Sequence, residues 1–262
     1  MIDNALTVSG RPHPVRASSR SRSTAWFADA ERHELLRAGG LDNLDSLFAR
    51  GASARMRHKG RSVWSAELTA GLREPLRLFI KMHWGRRRLW PRMTDLKTGQ
   101  AYQSLARREW DGLNRLEAAG LHVPRRWALF EEGRLHVRSA VIVQAVPPPR
   151  SLEELIELGK WEQLSTTRRG TLLDLVVATV RRIHTAGLGW RGASSKHFYP
   201  EWLPSEGWRM WLIDCEGVHK HITRKGIARD YRTLIRSLQR CQADSETLDR
   251  LRQRIERTQA YV

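Results

Sequence analysis

The spacing of apolar positions changes along the chain, and the change sorts the chain into segments before any residue is considered for chemistry. From Ala54 the pattern alternates through ARMRHKGRSVWSAEL, breaks at polar residues 69–75, and resumes as Leu76-Arg77-Leu78-Phe79-Ile80-Lys81-Met82. Successive side chains of a strand face opposite ways, so a period of two predicts antiparallel strands here. Further strand-like runs stand at 127–130 and 139–146. Helical spacing governs the flanks. Residues 28–38 predict a helix closed by Gly39-Gly40, and 41–50 a second. Residues 104–119 place Leu105, Leu113 and Leu116 on one stripe and stop at Gly120.

Pro147-Pro148-Pro149 then breaks the chain, and Ser151-Leu152-Glu153-Glu154 has the form of a capping box that starts a helix. Residues 171–186 predict an amphipathic helix with Leu173, Val176, Val180 and Ile183 on its stripe and Gly187 as its stop. A polar loop, GWRGASSKHF, leads from there towards a short strand at 210–213, followed by helices at 227–241 and 245–258. Strands first and helices later, split at a proline-rich joint, predict an α+β protein: a small antiparallel-sheet lobe and a larger, mainly helical lobe. The expected division is a disordered basic tail over 1–25, a sheet lobe with its helix over 26–146, and a helical lobe over 147–262.

Composition narrows the partners. The 262 residues carry 46 Lys+Arg against 28 Asp+Glu, a formal net charge of +18, which points to an anionic partner. Phosphorylated lipid, an anionic membrane face and nucleic acid share that property, but no nucleic-acid motif is present, so nucleic acid is the weaker reading. No run of about 18 apolar residues exists to span a bilayer. Two cysteines, Cys215 and Cys241, make neither a disulfide framework nor a zinc pattern and suit a reducing compartment.

Three charged residues stand where charge is costly. Lys81 ends an otherwise apolar strand and needs a carboxylate, unless it snorkels. Glu109 falls on the buried stripe of its helix and needs a cation, which a neighbour such as Arg107 also offers. Asp214 follows an apolar strand, either as a plain strand end or as a ligand group. Their order matters more than any one of them: strand lysine, helix glutamate, proline-marked hinge, amphipathic helix, polar loop, strand aspartate. Protein kinases use that order.

On the segments Leu78-Phe79-Ile80-Lys81, Arg108-Glu109-Trp110, Ser151-Leu152-Glu153-Glu154, Ile183-His184-Thr185-Ala186-Gly187, His197-Phe198 and Leu212-Ile213-Asp214, the chain resembles the lipopolysaccharide-core Kdo/heptose kinases and their toluene-tolerance relatives. The resemblance implies a protein-kinase-like, two-lobed fold that uses ATP and Mg²⁺ to phosphorylate a core sugar. It makes Lys81 the phosphate contact, Glu109 its brace and Asp214 the Mg²⁺ ligand, with adenine beside the backbone of Gln144, Ala145 and Val146. His197 takes the slot of a second metal residue, with a purely structural histidine as the alternative, and Gly60 lies in the nucleotide-covering loop. The implied setting is the cytoplasmic face of a Gram-negative inner membrane, with lipopolysaccharide core or another anionic glycolipid as partner.

One departure concerns the chemistry. Where the family's catalytic loop reads approximately His-Arg-Asp, this chain reads Trp190-Arg191-Gly192, so the expected proton acceptor is missing. The base has been lost, leaving a pseudokinase, or it has moved, with Glu201 and His197 as candidates; Gly192 otherwise serves a positive backbone dihedral or a close approach. A second feature concerns partners. Arg86, Arg87, Arg88 and Arg92 interleave with Trp84 and Trp90, a composition suited to an anionic lipid interface or to single-stranded nucleic acid, and equally to a solvated loop.

Overall fold

The computed structural model describes residues 14–15, 23–51, 56–58, 60–69, 72–86, 93–133, 136–220 and 222–259, which pack as two compact units. The first comprises 1–87 and 125–145 and the second 88–124 and 146–262. The first unit is built on a seven-stranded antiparallel sheet of order β1-β2-β6-β7-β5-β4-β3. Its strands are β1 (Pro14–Val15), β2 (Ser23–Phe27), β3 (Met56–His58), β4 (Arg61–Leu68), β5 (Leu76–Arg86), β6 (Arg126–Glu132) and β7 (His136–Gln144). Helices α1 (Ala30–Ala38) and α2 (Leu44–Arg50) are capped by the side chains of Asp29 and Asn43, each accepting a backbone N–H of the first turn.

The period-two pattern does its work in β5. Leu78, Ile80 and Met82 face a core shared with Leu36, Leu44, Leu47, Phe130 and Ile142, while Phe79, Lys81 and His83 take the other face. Lys81 does not end the strand. The ladder continues through Arg86, and Lys81 pairs with Val63 on β4 and Val141 on β7, because His83-Trp84-Gly85-Arg86 still has backbone groups to pair. Pro14–Val15 is a strand inside the stretch 1–25 expected as tail, and Ser23–Phe27 begins within it and runs past its end; the rest of that tail lies outside the described residues.

The second unit contains α3 (Met93–Lys97), α4 (Leu105–Ala118), α5 (Leu152–Glu157), α6 (Thr166–Thr185), α7 (Arg224–Arg240) and α8 (Ser245–Gln259). Two small antiparallel ribbons join them: β9 (Phe198–Leu203) with β10 (Gly207–Leu212), and β8 (Leu188–Trp190) with β11 (Val218–Lys220). Helix α4 therefore packs with the second unit, although the sequence reading grouped 26–146 together. The expected capping box is present at α5: the Ser151 hydroxyl accepts the Glu154 N–H, and the Glu154 carboxylate accepts the Ser151 N–H. Among the described residues no helix is long and apolar enough to cross a membrane.

Candidate active site

In the first unit, Lys81 lies half-buried at mid-strand, on the sheet face opposite the α1–α2 core. Gln144 closes β7. Its N–H donates to Arg125 O at 2.8 Å and that of Ala145 to Arg77 O at 2.9 Å, so both groups are engaged within the unit. Gly60 turns β3 into β4 at φ 81°, and a Cβ there would overlap the Trp84 carbonyl oxygen, so glycine is required by the turn and by close approach. Arg86 ends β5, while Arg87, Arg88 and Arg92 lie outside the described residues.

The second unit holds the remaining residues. Glu109 is 2% exposed on α4, among Ala106, Trp110, Leu113 and Leu116, as the stripe required. Next to it, Gly112 lets α4 approach the 3₁₀ turn at Cys215–Gly217 so closely that a Cβ would overlap Cys215 O. Side chains complete the attachment. Gln100 Nε2 donates to Glu216 O at 3.1 Å and to Val218 O at 3.0 Å, and Arg115 Nη1 donates to Val218 O at 3.0 Å. The segment after Asp214 is thus fastened by its backbone carbonyls, independently of the side chains it carries.

Asp214 itself adopts a left-handed conformation at φ 57°, ψ 57°, which an aspartate tolerates better than most residues. That turn leaves its side chain 41% exposed, with Oδ2 3.5 Å from His197 Nε2. His197 is 10% exposed and is tied to the same strand end, since its carbonyl accepts the Ile213 N–H at 3.1 Å. The structure thus brings His197 and Asp214 together. Mg²⁺ prefers oxygen and is usually held by one or two carboxylates plus substrate phosphates. Asp214 fits that requirement, and the imidazole beside it is better suited to orienting the carboxylate than to ligating the ion.

The polar loop is anchored from behind at three points. The Trp190 N–H donates to Asp230 Oδ2 at 2.8 Å; Asp230 is fully buried on α7, lies 3.4 Å from His184 Nε2, and takes two guanidinium nitrogens of Arg229 on its other oxygen. Arg191 Nη1 lies 3.6 Å from Asp95, which also pairs with Arg108 at 3.3 Å. Ser195 donates its hydroxyl to Glu153 and its N–H to Ser237 Oγ, both at 2.8 Å. His219, on β11, has its Nδ1 2.9 Å from Gly217 O; burial pushes its pKa below the usual value, the Gly217 contact works against this, and Arg191 and Arg229 add to it. Sequence reasoning missed Asp230. Its signal was available: it shares a stripe with Leu234 and Leu238 at four-residue spacing, a carboxylate on an apolar face.

Gly192 sits between these anchors. Its φ is not positive, so the dihedral explanation fails. A Cβ there would stand 3.2 Å from Trp190 Nε1 and 3.9 Å from Asp214 O, which is tight but relieved by a small ring shift. The Trp190 indole N–H has no hydrogen-bond acceptor among the described residues. Glu201 turns to other work. On β9 its carboxylate accepts the Trp211 indole N–H at 2.8 Å and lies 3.8 Å from Arg209, an engaged position unlike that of a free base.

Residues 69–257 match the model of the lipopolysaccharide kinase (Kdo/WaaP) family. The solved structure of WaaP in complex with acyl carrier protein superposes with a TM-score of 0.61 at 19% identity, covering 89% of this chain and 88% of that one. No curated protein matches.

Proposed function

The chain belongs to the lipopolysaccharide kinase (Kdo/WaaP) family, and we propose that it transfers the γ-phosphoryl group of ATP, with Mg²⁺, to a sugar hydroxyl of the lipopolysaccharide core. The observation that carries the reading is the Asp214 segment: a half-exposed carboxylate, 3.5 Å from His197 Nε2, on a backbone that α4 and Gln100 hold in place. A group that must meet a metal ion needs this combination of a fixed backbone and an accessible oxygen.

In the proposed reaction the acceptor oxygen attacks the γ-phosphorus, the bond from that phosphorus to the β-bridging oxygen breaks, and ADP departs. Asp214 would hold Mg²⁺, which would supply charge neutralisation for the phosphates. The family pattern assigns Lys81 to the phosphates and Glu109 to the bracing counter-charge. With no carboxylate at 192, the acceptor proton passes to a phosphoryl oxygen or to water. Such a route is open because the transition state is loose and catalysis rests mainly on positioning and electrostatics. The role left to Trp190-Arg191-Gly192 is to hold backbone in place and leave room for the acceptor.

We place the protein at the cytoplasmic face of a Gram-negative inner membrane, with the arginine-rich 86–92 segment as a lipid contact. An acyl carrier protein is a further partner to test, since the WaaP structure contains one. Gly192 favours a second reading, a pseudokinase that binds nucleotide or lipopolysaccharide precursor and regulates envelope assembly. Incubating the protein with γ-labelled ATP, Mg²⁺ and dephosphorylated core oligosaccharide separates the two. Label in the sugar supports the kinase; nucleotide-dependent thermal stabilisation without label in the sugar supports the pseudokinase.

A further inference from the structure

Helices α7 and α8 pack against each other, and both are rich in arginine, but they treat their charges differently. On α8, Arg250 pairs with Glu246, Arg252 with Asp249, and Arg254 with Asp174 of α6. On α7, Arg224, Lys225, Arg232, Arg236 and Arg240 are exposed, and none pairs with a carboxylate among the described residues. Its single acidic residue, Asp230, is fully buried and serves Trp190 and Arg229.

The placement is regular. At about 100° per residue, Lys225, Arg232, Arg236 and Arg240 fall within an arc of about 80°, opposite Asp230, Leu234, Ser237 and Leu238, and they span about 22 Å of helix. Helix physics alone disfavours this arrangement. Arg224 and Lys225 stand at the positive end of the helix dipole, and Arg232, Arg236 and Arg240 are spaced so that like charges meet. A row of cations kept against local stability, and without carboxylate partners among the described residues, points outward to an external anion. Arg236 and Arg240 also line, with Thr233 and Gln239, a shallow depression open to solvent. Guanidinium groups so placed match phosphate oxygens.

We propose that the outer face of α7 is a docking surface for the phosphate headgroups of an anionic lipid bilayer. A bilayer fits better than a folded partner because the row is straight and of one sign, and the residues among and beside its cations are Thr233, Gln239 and Arg229, which pairs with Asp230, rather than the buried aromatic anchors of protein interfaces. Binding through it is electrostatic and superficial, with nothing inserted below the headgroups. The surface goes beyond the phosphotransferase reading and stands whether or not that reading holds.

The test is co-sedimentation of the full chain with phosphatidylcholine vesicles containing increasing phosphatidylglycerol, at low and high salt. Wild type should bind in proportion to the anionic lipid and release as salt rises. The triple substitution Arg232→Gln, Arg236→Gln, Arg240→Gln should weaken binding by about 100-fold, from three cations each acting at the surface. The corresponding three lysine substitutions should retain most of it, and Arg250→Gln, Arg252→Gln, Arg257→Gln, which removes equal charge from α8, should change it little. Stabilisation by Mg-ATP should be the same in all of them, so loss of vesicle binding alone cannot be mistaken for loss of the nucleotide site. Equal loss in the α7 and α8 glutamine variants would overturn the proposal in favour of bulk charge. Full binding by the α7 glutamine variant, or absence of wild-type binding, would also overturn it. So would displacement from vesicles by pyrophosphate, acyl carrier protein or RNA at matched phosphate or carboxylate concentration, each of which would assign the row to that competitor.

Discussion

Asp214 and Gly192 belong to neighbouring segments of the second unit that are anchored alike and equipped differently. Around Asp214, Gln100, Arg115 and the Gly112 contact hold backbone carbonyls, and the carboxylate that the proposed reaction assigns to the metal is present and 41% exposed. Around Gly192, Asp230 holds the Trp190 N–H, Asp95 meets Arg191 and Glu153 holds Ser195, but the carboxylate expected at the centre is absent. The loop's frame is intact without its proton acceptor. Frame and acceptor are therefore separable: the frame positions backbone, while the acceptor adds a factor of about 10² to 10⁴ that phosphoryl transfer can partly forgo.

The largest effect should come from the equipped segment. Asp214→Ala removes a charge-stabilising group and should lower phosphoryl transfer by about 10³-fold, together with the Mg²⁺-dependent part of nucleotide binding. Calorimetric titration of ATP with and without Mg²⁺ checks it. An unchanged metal dependence would move the metal site away from Asp214.

Asp230→Ala tests the frame of the loop. It strands the Trp190 N–H and one face of Arg229 around a fully buried position, and should cost about 3 kcal/mol in urea unfolding. Gly112→Ala tests the frame of the other segment. The added methyl overlaps Cys215 O and pushes α4 from the turn, for about 2 kcal/mol of stability and a loss of transfer out of proportion to it. If Gly112→Ala lowered stability but left turnover intact, the close approach would be packing without a positioning role.

These residues also mark what was legible in the sequence. Strands β4, β5, β6 and β7 and helices α4 and α6 followed from apolar spacing, and Glu109 from its place on a stripe, because burial imposes a period that sequence displays. Helix α6 begins at Thr166, five residues before the expected Thr171, because Ser165 caps it ahead of the apolar stripe. The β9 strand escaped notice because Pro200 argues against strand; it lies in a two-stranded ribbon, opposite Met210, where a missing N–H is tolerated. Gly112 could not be read. Its reason is a carbonyl oxygen about a hundred residues away, and local pattern does not record such approaches. Gly192 stands out in the sequence where an aspartate is expected, but only coordinates exclude a positive φ.

The smallest expected effect is a pH dependence beside the loop. Burial holds the His219 pKa below its ordinary value near 6.5, so the folded protein keeps this imidazole neutral where the unfolded chain takes up a proton. Stability from this source is complete above about pH 6.5 and declines as pH falls below it. His219→Gln should flatten that part of the stability–pH curve from urea unfolding. A slope unchanged by the substitution would assign the dependence to another group.

The most direct measurement of a loop with its frame kept and its acceptor gone is single-turnover transfer from γ-labelled ATP to core oligosaccharide, by wild type and by Gly192→Asp at saturating Mg-ATP. The backbone at 192 accepts a side chain without dihedral strain, and the Trp190 indole N–H is available to orient the new carboxylate. Wild type should transfer slowly, and Gly192→Asp should be faster by about 10-fold to 100-fold, below the full general-base range because its surroundings are not tuned for the group. A folded Gly192→Asp protein that transfers more slowly than wild type, or a wild type that transfers nothing while binding Mg-ATP normally, would contradict it.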